Sequence, residues 1–127
     1  MNELYFRVKG INWQSKNPSA YYLDELNEFL SNQSETFFSN EYTSNFLKPL
    51  NNIYREKYYE VQNSNSNKAE VTFQLEIPLK ILTACKPALD WYIKTFPDGD
   101  FIETAKDFIE AINEAALEGT DVMIVGE

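Results

Sequence analysis

The chain contains no histidine. That removes the commonest general base at neutral pH and the commonest metal ligand. A Ser-His-Asp or Cys-His arrangement is impossible. The usual zinc sites, which need cysteine and histidine in number, are excluded. Cys85 is the single cysteine, so no internal disulfide can form. Its setting, Ile81-Leu82-Thr83-Ala84-Cys85, is apolar and marks a buried structural thiol. The only glycines are Gly10, Gly99, Gly119 and Gly126, and none belongs to a phosphate-cradling loop. Asp98-Gly99-Asp100 has part of a calcium-loop pattern, but the required spacing fails, and it reads as a turn followed by a helix cap. Two carboxylates can run glycoside hydrolysis, yet nothing singles out such a pair here. The expectation is a non-catalytic protein with no cofactor and no metal.

Long apolar runs are also missing. No stretch approaches the roughly 18 residues that mark a bilayer-spanning helix. Residues 1–9 alternate charged and apolar side chains, with no continuous apolar core of a secretory signal. Cytoplasmic location, away from any membrane, is therefore expected. What is present suits one domain of 127 residues: 43% hydrophobic residues and 15% aromatics, mostly Tyr and Phe, enough for an aromatic-rich core.

Bases are scarce in one place only. Residues 98–127 hold the acids Asp98, Asp100, Glu103, Asp107, Glu110, Glu114, Glu118, Asp121 and Glu127, against one base, Lys106. The other 97 residues hold 11 acids and 10 bases, so nearly all of the formal −9 sits in the last quarter of the chain. A nucleic-acid binder needs the opposite sign, so direct DNA or RNA binding is not expected.

Leu4, Phe6 and Val8 alternate with Tyr5, Arg7 and Lys9, a half-buried strand. Asn17-Pro18-Ser19 opens a helix with Ser19 as N-cap. Tyr22, Leu23, Leu26, Phe29 and Leu30 make its buried stripe, with Asp24, Glu25 and Glu28 opposite. Ser34 can cap a second helix carrying Phe38, Tyr42 and Phe46, which Lys48-Pro49 should end. Residues 50–62 fit a helix through Leu50, Ile53, Tyr54, Tyr58 and Val61, but 57–62 fit a strand equally well. A polar loop at 63–68 can close a hairpin. Val71, Phe73, Leu75 and Ile77 alternate as a second strand, and 79–96 reads as a helix interrupted near Pro87. Pro97-Asp98-Gly99 is a turn. The acidic helix follows, stops at Gly119, and leads into a short buried strand at 122–125. The fold class is α+β or α/β: a single domain with three to four strands and helices packed on them.

On a helical wheel, Phe101, Ile102, Ala105, Phe108, Ile109, Ile112, Ala115 and Ala116 share one side of the acidic helix. Asp100, Glu103, Asp107, Glu110, Glu114 and Glu118 share the other, with Lys106 at the flank. Successive acids are three or four residues apart, and each like-charged pair costs about 0.2–0.5 kcal/mol. Glu114 and Glu118 also lie at the end where the helix dipole disfavours negative charge. Such a ribbon is either a solubilising face or a docking face for a basic partner. Asp24, Glu25 and Glu28 form a second acidic patch. In each of the doublets Tyr21-Tyr22 and Tyr58-Tyr59 one ring can pack inward while the other faces out. Trp91 reads as core.

The ending Phe108-Ile109-Glu110-Ala111-Ile112-Asn113-Glu114-Ala115-Ala116-Leu117-Glu118-Gly119-Thr120-Asp121-Val122-Met123-Ile124-Val125 resembles that of the barstar-family ribonuclease inhibitors, which finish with a helix, a turn and a buried strand. The resemblance covers about a sixth of the chain as a motif. That family's inhibitory surface lies mid-chain, on an acidic helix bearing Trp after a Tyr-Tyr-Gly segment. The corresponding residues 34–48 carry Glu35 and Glu41 without that motif, so no binding residue transfers. The resemblance implies a role only: an acidic protein masking a basic nuclease. Small acidic bacterial immunity proteins are similar in character.

The sequence therefore points to an immunity or inhibitor protein, a monomer or homodimer. It would neutralise a basic toxin domain through Asp100, Glu103, Asp107, Glu110, Glu114 and Glu118. An acidic secretion chaperone that binds an effector segment is the first alternative, and a non-catalytic regulatory subunit the second.

Overall fold

The structure, a computed structural model, describes residues 3–33, 39–63 and 73–126. It is an α+β fold in which helices cover one face of a small antiparallel sheet. The strands are β1 (Leu4–Val8), β2 (Gln74–Ile77) and β3 (Val122–Gly126), in spatial order β1-β3-β2. Phe6 pairs with Ile124 on one side of β3, and Leu75 pairs with the same residue on the other. The period-two pattern of each strand puts Leu4, Phe6, Val8, Leu75, Ile77, Val122 and Ile124 on the buried face. The outer edge of β1 is covered by the returning chain, which makes isolated bridges Arg7↔Gln14 and Leu4↔Ser19. Buried Ser15 seals that edge by accepting the Phe6 N–H at 3.1 Å.

Among the described residues four long helices supply the other layer: α1 (Leu23–Asn32), α2 (Lys48–Asn63), α3 (Leu79–Thr95) and α4 (Ile102–Glu118). α4 lies against β1, where the fully buried rings of Phe6 and Phe108 stack 4.9 Å apart. α3 packs along α4, and α1 packs on α2. All the buried apolar side chains join one cluster. Trp91 is partly buried at its margin, edge-on to Phe96.

Several expectations need correction. Ser19 opens a 3₁₀ turn (Ala20–Tyr22), with no side-chain cap bond, and α1 begins only at Leu23. In a 3₁₀ turn residues three apart eclipse, so Ala20 and Leu23 take the core positions. Both rings of the first tyrosine doublet are thereby turned outward, Tyr21 at 43% and Tyr22 at 46% exposure, so Tyr22 is not part of a buried stripe. The second doublet divides as expected, with Tyr58 partly buried and Tyr59 exposed.

Lys48-Pro49 does not end a helix. One α-turn (Asn40–Tyr42) passes through a π segment (Thr43–Leu47) directly into α2. Pro49 follows this π segment inside the continuous helix, and the widened register accommodates the N–H it lacks. The Lys48 N–H reaches back five residues to Thr43 O, the wide register by which a helix absorbs an extra residue. Residues 57–62 are helical. Ser34, Phe38, Val71 and the stretch 64–68 lie outside the described residues. α3 runs unbroken through Pro87. The carbonyl this proline leaves without its α-helical partner belongs to Thr83, on the exposed side, where water can satisfy it.

Candidate protein interface

α4 starts after a tight turn in which the Gly99 N–H donates to Phe96 O at 2.9 Å. A Cβ on Gly99 would collide with the Tyr92 hydroxyl, which itself accepts the Phe101 N–H at 3.0 Å. The helix ends in a Schellman pattern: Thr120 N–H donates to Ala115 O, Gly119 N–H donates to Ala116 O, and Gly119 is left-handed at φ 66°. Between these ends the buried stripe is Thr104, Ala105, Phe108, Ala111, Ile112 and Ala115. Ala116 is exposed, and Leu117 is 81% exposed. The core face is thus rotated by about 50° from the expected one. The acidic ribbon borders the core on one flank instead of opposing it.

The rotation changes the role of Asp107. It is half-buried and accepts a hydrogen bond from Ser19 Oγ at 2.6 Å, while Thr104 Oγ1 donates to Ser19 O at 2.7 Å. These two bonds fasten the 3₁₀ turn to α4. Burial lifts the Asp107 carboxyl above its ordinary range; the Ser19 bond opposes the shift, and the charges of Glu110 and Glu103 add to it. Asp107 therefore fastens the turn to α4 from a half-buried place at the inner edge of the ribbon. Asp121 is structural too: its Oδ1 accepts the Leu79 N–H at 3.0 Å at the start of α3. That bond holds its carboxyl below the ordinary range, with Glu76 and Lys9 contributing further.

The second acidic patch is partly neutralised. Arg55 of α2 donates from Nε to Asp24 at 2.9 Å and from Nη2 to Glu28 at 2.8 Å. Glu25 remains exposed. Asp100, Glu103, Glu110, Glu114 and Glu118 make no ion pair with any described residue. Lys86 of α3 reaches the far flank of α4 and bonds Asn113 Oδ1 at 2.7 Å, leaving the acidic flank uncovered.

The two acidic patches, far apart in the chain, meet at the tyrosine doublet through Asp24 and Glu25 on one side and Asp100 and Glu103 on the other. Tyr21 and Tyr22 stand edge to face with ring centres 5.5 Å apart. On the Tyr21 side a small hollow is lined by Asp24, Glu25, Tyr54 and Tyr58. On the Tyr22 side a cleft of about 390 Å³ runs between residues 17–22 and the start of α4, with Asp100 and Glu103 in its wall. The result is a ridge of two exposed aromatic rings with carboxylates on either side. Glu118 lies about 22 Å further along the axis of α4 and does not join this surface.

Sequence reasoning missed Tyr22, Arg55 and Asn17 as participants. The eclipsed pair Ala20 and Leu23 was the available signal for an outward doublet. Nothing in the sequence pairs Arg55 with Asp24.

A further concavity, about 750 Å³, lies on the face of the sheet away from the helices, among Arg7, Lys9, Gln74, Glu76, Met123 and Val125. Lys9 and Glu76 close an ion pair across it at 2.9 Å. Among the described residues no acidic or thiol groups gather as a metal site, and no helix is long and apolar enough to cross a membrane. No protein family, curated protein or solved structure matches the chain.

Proposed function

We propose that the protein binds a basic protein partner through its acidic, tyrosine-bearing surface, as an immunity protein or inhibitor of a nuclease toxin. The observation that carries this reading is the set of carboxylates Asp100, Glu103, Glu110 and Glu114, which no base of the described chain, Lys106 at their edge included, holds in an ion pair. Such a flank speeds and orients association with a cationic surface. A nuclease presents that surface because it must hold phosphates. Carboxylates seated there take the place of the substrate backbone. Exposed tyrosines supply the aromatic anchors that concentrate binding energy at interfaces. The resemblance of the chain ending to the barstar family favours the same role.

The test is capture from the source organism's own extract, with the wild-type chain and a Glu103→Lys, Glu110→Lys, Glu114→Lys variant side by side. The expected partner is basic and binds one to one. It is lost with the variant and released by salt, and its nuclease activity is inhibited by the wild-type chain. If the proteins retained are not basic, or the triple reversal retains them equally, the acidic-face reading is wrong.

A further inference from the structure

We infer that the cleft between the 3₁₀ turn and the start of α4 is a subsite for an arginine side chain, held by the ring of Tyr22 and the carboxylates of Asp100 and Glu103. This rests on the reading above that the partner is basic, and specifies which of its groups is recognised and where.

Three observations converge on it. The first is shape. Residues 17–22 and the first turn of α4 enclose a recess of about 390 Å³, with Asn17 and Ser19 on one wall and Asp100 and Glu103 on the other. The second is charge. Asp100 and Glu103 are exposed and form no ion pair with a described residue, unlike Asp24, which Arg55 occupies, and Asp107, which Ser19 occupies. The N-terminus of a helix ordinarily favours anions. Here three carboxylates, Asp98, Asp100 and Glu103, already stand around that end, so an incoming anion is repelled and a cation is drawn in. The third is the aromatic wall. Tyr22 touches Tyr21 edge-on and lies 6.4 Å from Phe101 at a tilt, and it keeps nearly half of its surface open.

A planar guanidinium matches this combination better than an ammonium does. It can stack on a ring while its N–H groups fork to carboxylates, and it is more weakly hydrated. The surface is also positioned to receive it. Ser19 bonds to both Asp107 and Thr104 and accepts the Tyr22 N–H, so the turn that carries Tyr22 is tied to α4, and Tyr22 and Glu103 line one cleft.

The experiment compares hexa-arginine with hexa-lysine at low salt by NMR titration of the isotope-labelled protein. Hexa-arginine should bind roughly two- to fivefold more tightly. Its shifts should centre on the amides of Tyr22, Gly99, Asp100, Glu103 and Thr104. Tyr22→Leu should abolish the preference for arginine and Tyr22→Phe should keep it, with circular dichroism confirming that both variants fold. Glu118→Gln should leave the preference unchanged. Equal affinity for the two peptides, or a preference that survives Tyr22→Leu, overturns the arginine subsite while leaving the basic-partner reading in place. If neither peptide binds, both fail.

Discussion

Ser19 and Asp107 are joined by a 2.6 Å hydrogen bond that spans 88 positions of sequence and ties the 3₁₀ turn to the middle of α4. Burial and the neighbouring charges of Glu103 and Glu110 raise the Asp107 pKa in the folded state. Between the ordinary and the raised value the folded protein holds a proton that the unfolded chain releases. The contribution of this group is most favourable below the ordinary carboxylate range and is lost as pH rises through the raised value. Asp107→Asn keeps an acceptor for Ser19 and removes the charge. It should match or exceed wild-type stability in urea at pH 7, and its advantage should disappear as the pH falls below the ordinary aspartate range. Ser19→Ala, which removes the donor, should instead lose about 1 kcal/mol at pH 7.

Asp121 has the opposite sign. Its lowered pKa means that the stability it provides is present above the ordinary carboxylate range and is lost as pH falls through the folded value. Asp121→Ala removes the acceptor for the Leu79 N–H and should cost about 1 kcal/mol at neutral pH. Urea titrations of wild type and variant should converge at the acid end. A constant difference at every pH would show that the loss is one of packing alone.

Arg55 spans α2 and α1 by holding Asp24 and Glu28 together. Its groups are partly exposed, so Arg55→Ala should cost no more than about 1 kcal/mol for each pair lost. The difference should shrink in molar salt. The variant also frees two carboxylates, and Asp24 of these lines the hollow beside Tyr21. Association with a cationic peptide at low salt should therefore be faster than for wild type, as stopped-flow measurement would show.

Phe108 and Leu117 sit on the same helix and mark its two extremes. Phe108 is fully buried in the stack with Phe6, and Phe108→Ala should cost about 3–5 kcal/mol in denaturant unfolding. Leu117 is 81% exposed, and Leu117→Gln should change stability by no more than about 0.5 kcal/mol.

The strands and the long last helix were legible because each has a strong period and a clear stop. Leu4, Phe6 and Val8 alternate cleanly, and Gly119 takes the left-handed position that its place after α4 requires. The orientation of α4 was less so, because alanine is neutral in the pattern: Ala111 is buried and Ala116 exposed, although both count as apolar. Thr104 was unreadable as core, since its hydroxyl is satisfied only by the carbonyl of the distant Ser19. Proline misled twice. The π segment before Pro49 and the exposed side of α3 at Pro87 both absorb what a proline removes. The meeting of Tyr22 with Glu103 depends on a tertiary contact, and no local pattern encodes it.

The strand order β1-β3-β2 has a consequence for how the molecule is made. β3, the last strand along the chain, lies in the middle, and both β1 and β2 ladder onto it. During synthesis the first strand leaves the ribosome more than a hundred residues before its hydrogen-bonding neighbour. Its exposed apolar side chains must wait for residues 122–126 to emerge. Contacts of such long sequence separation slow folding, because a large loop must close before pairing can reward it. Helix pairs such as α1 with α2 lie closer in sequence, so their loops close at less entropic cost than the sheet's.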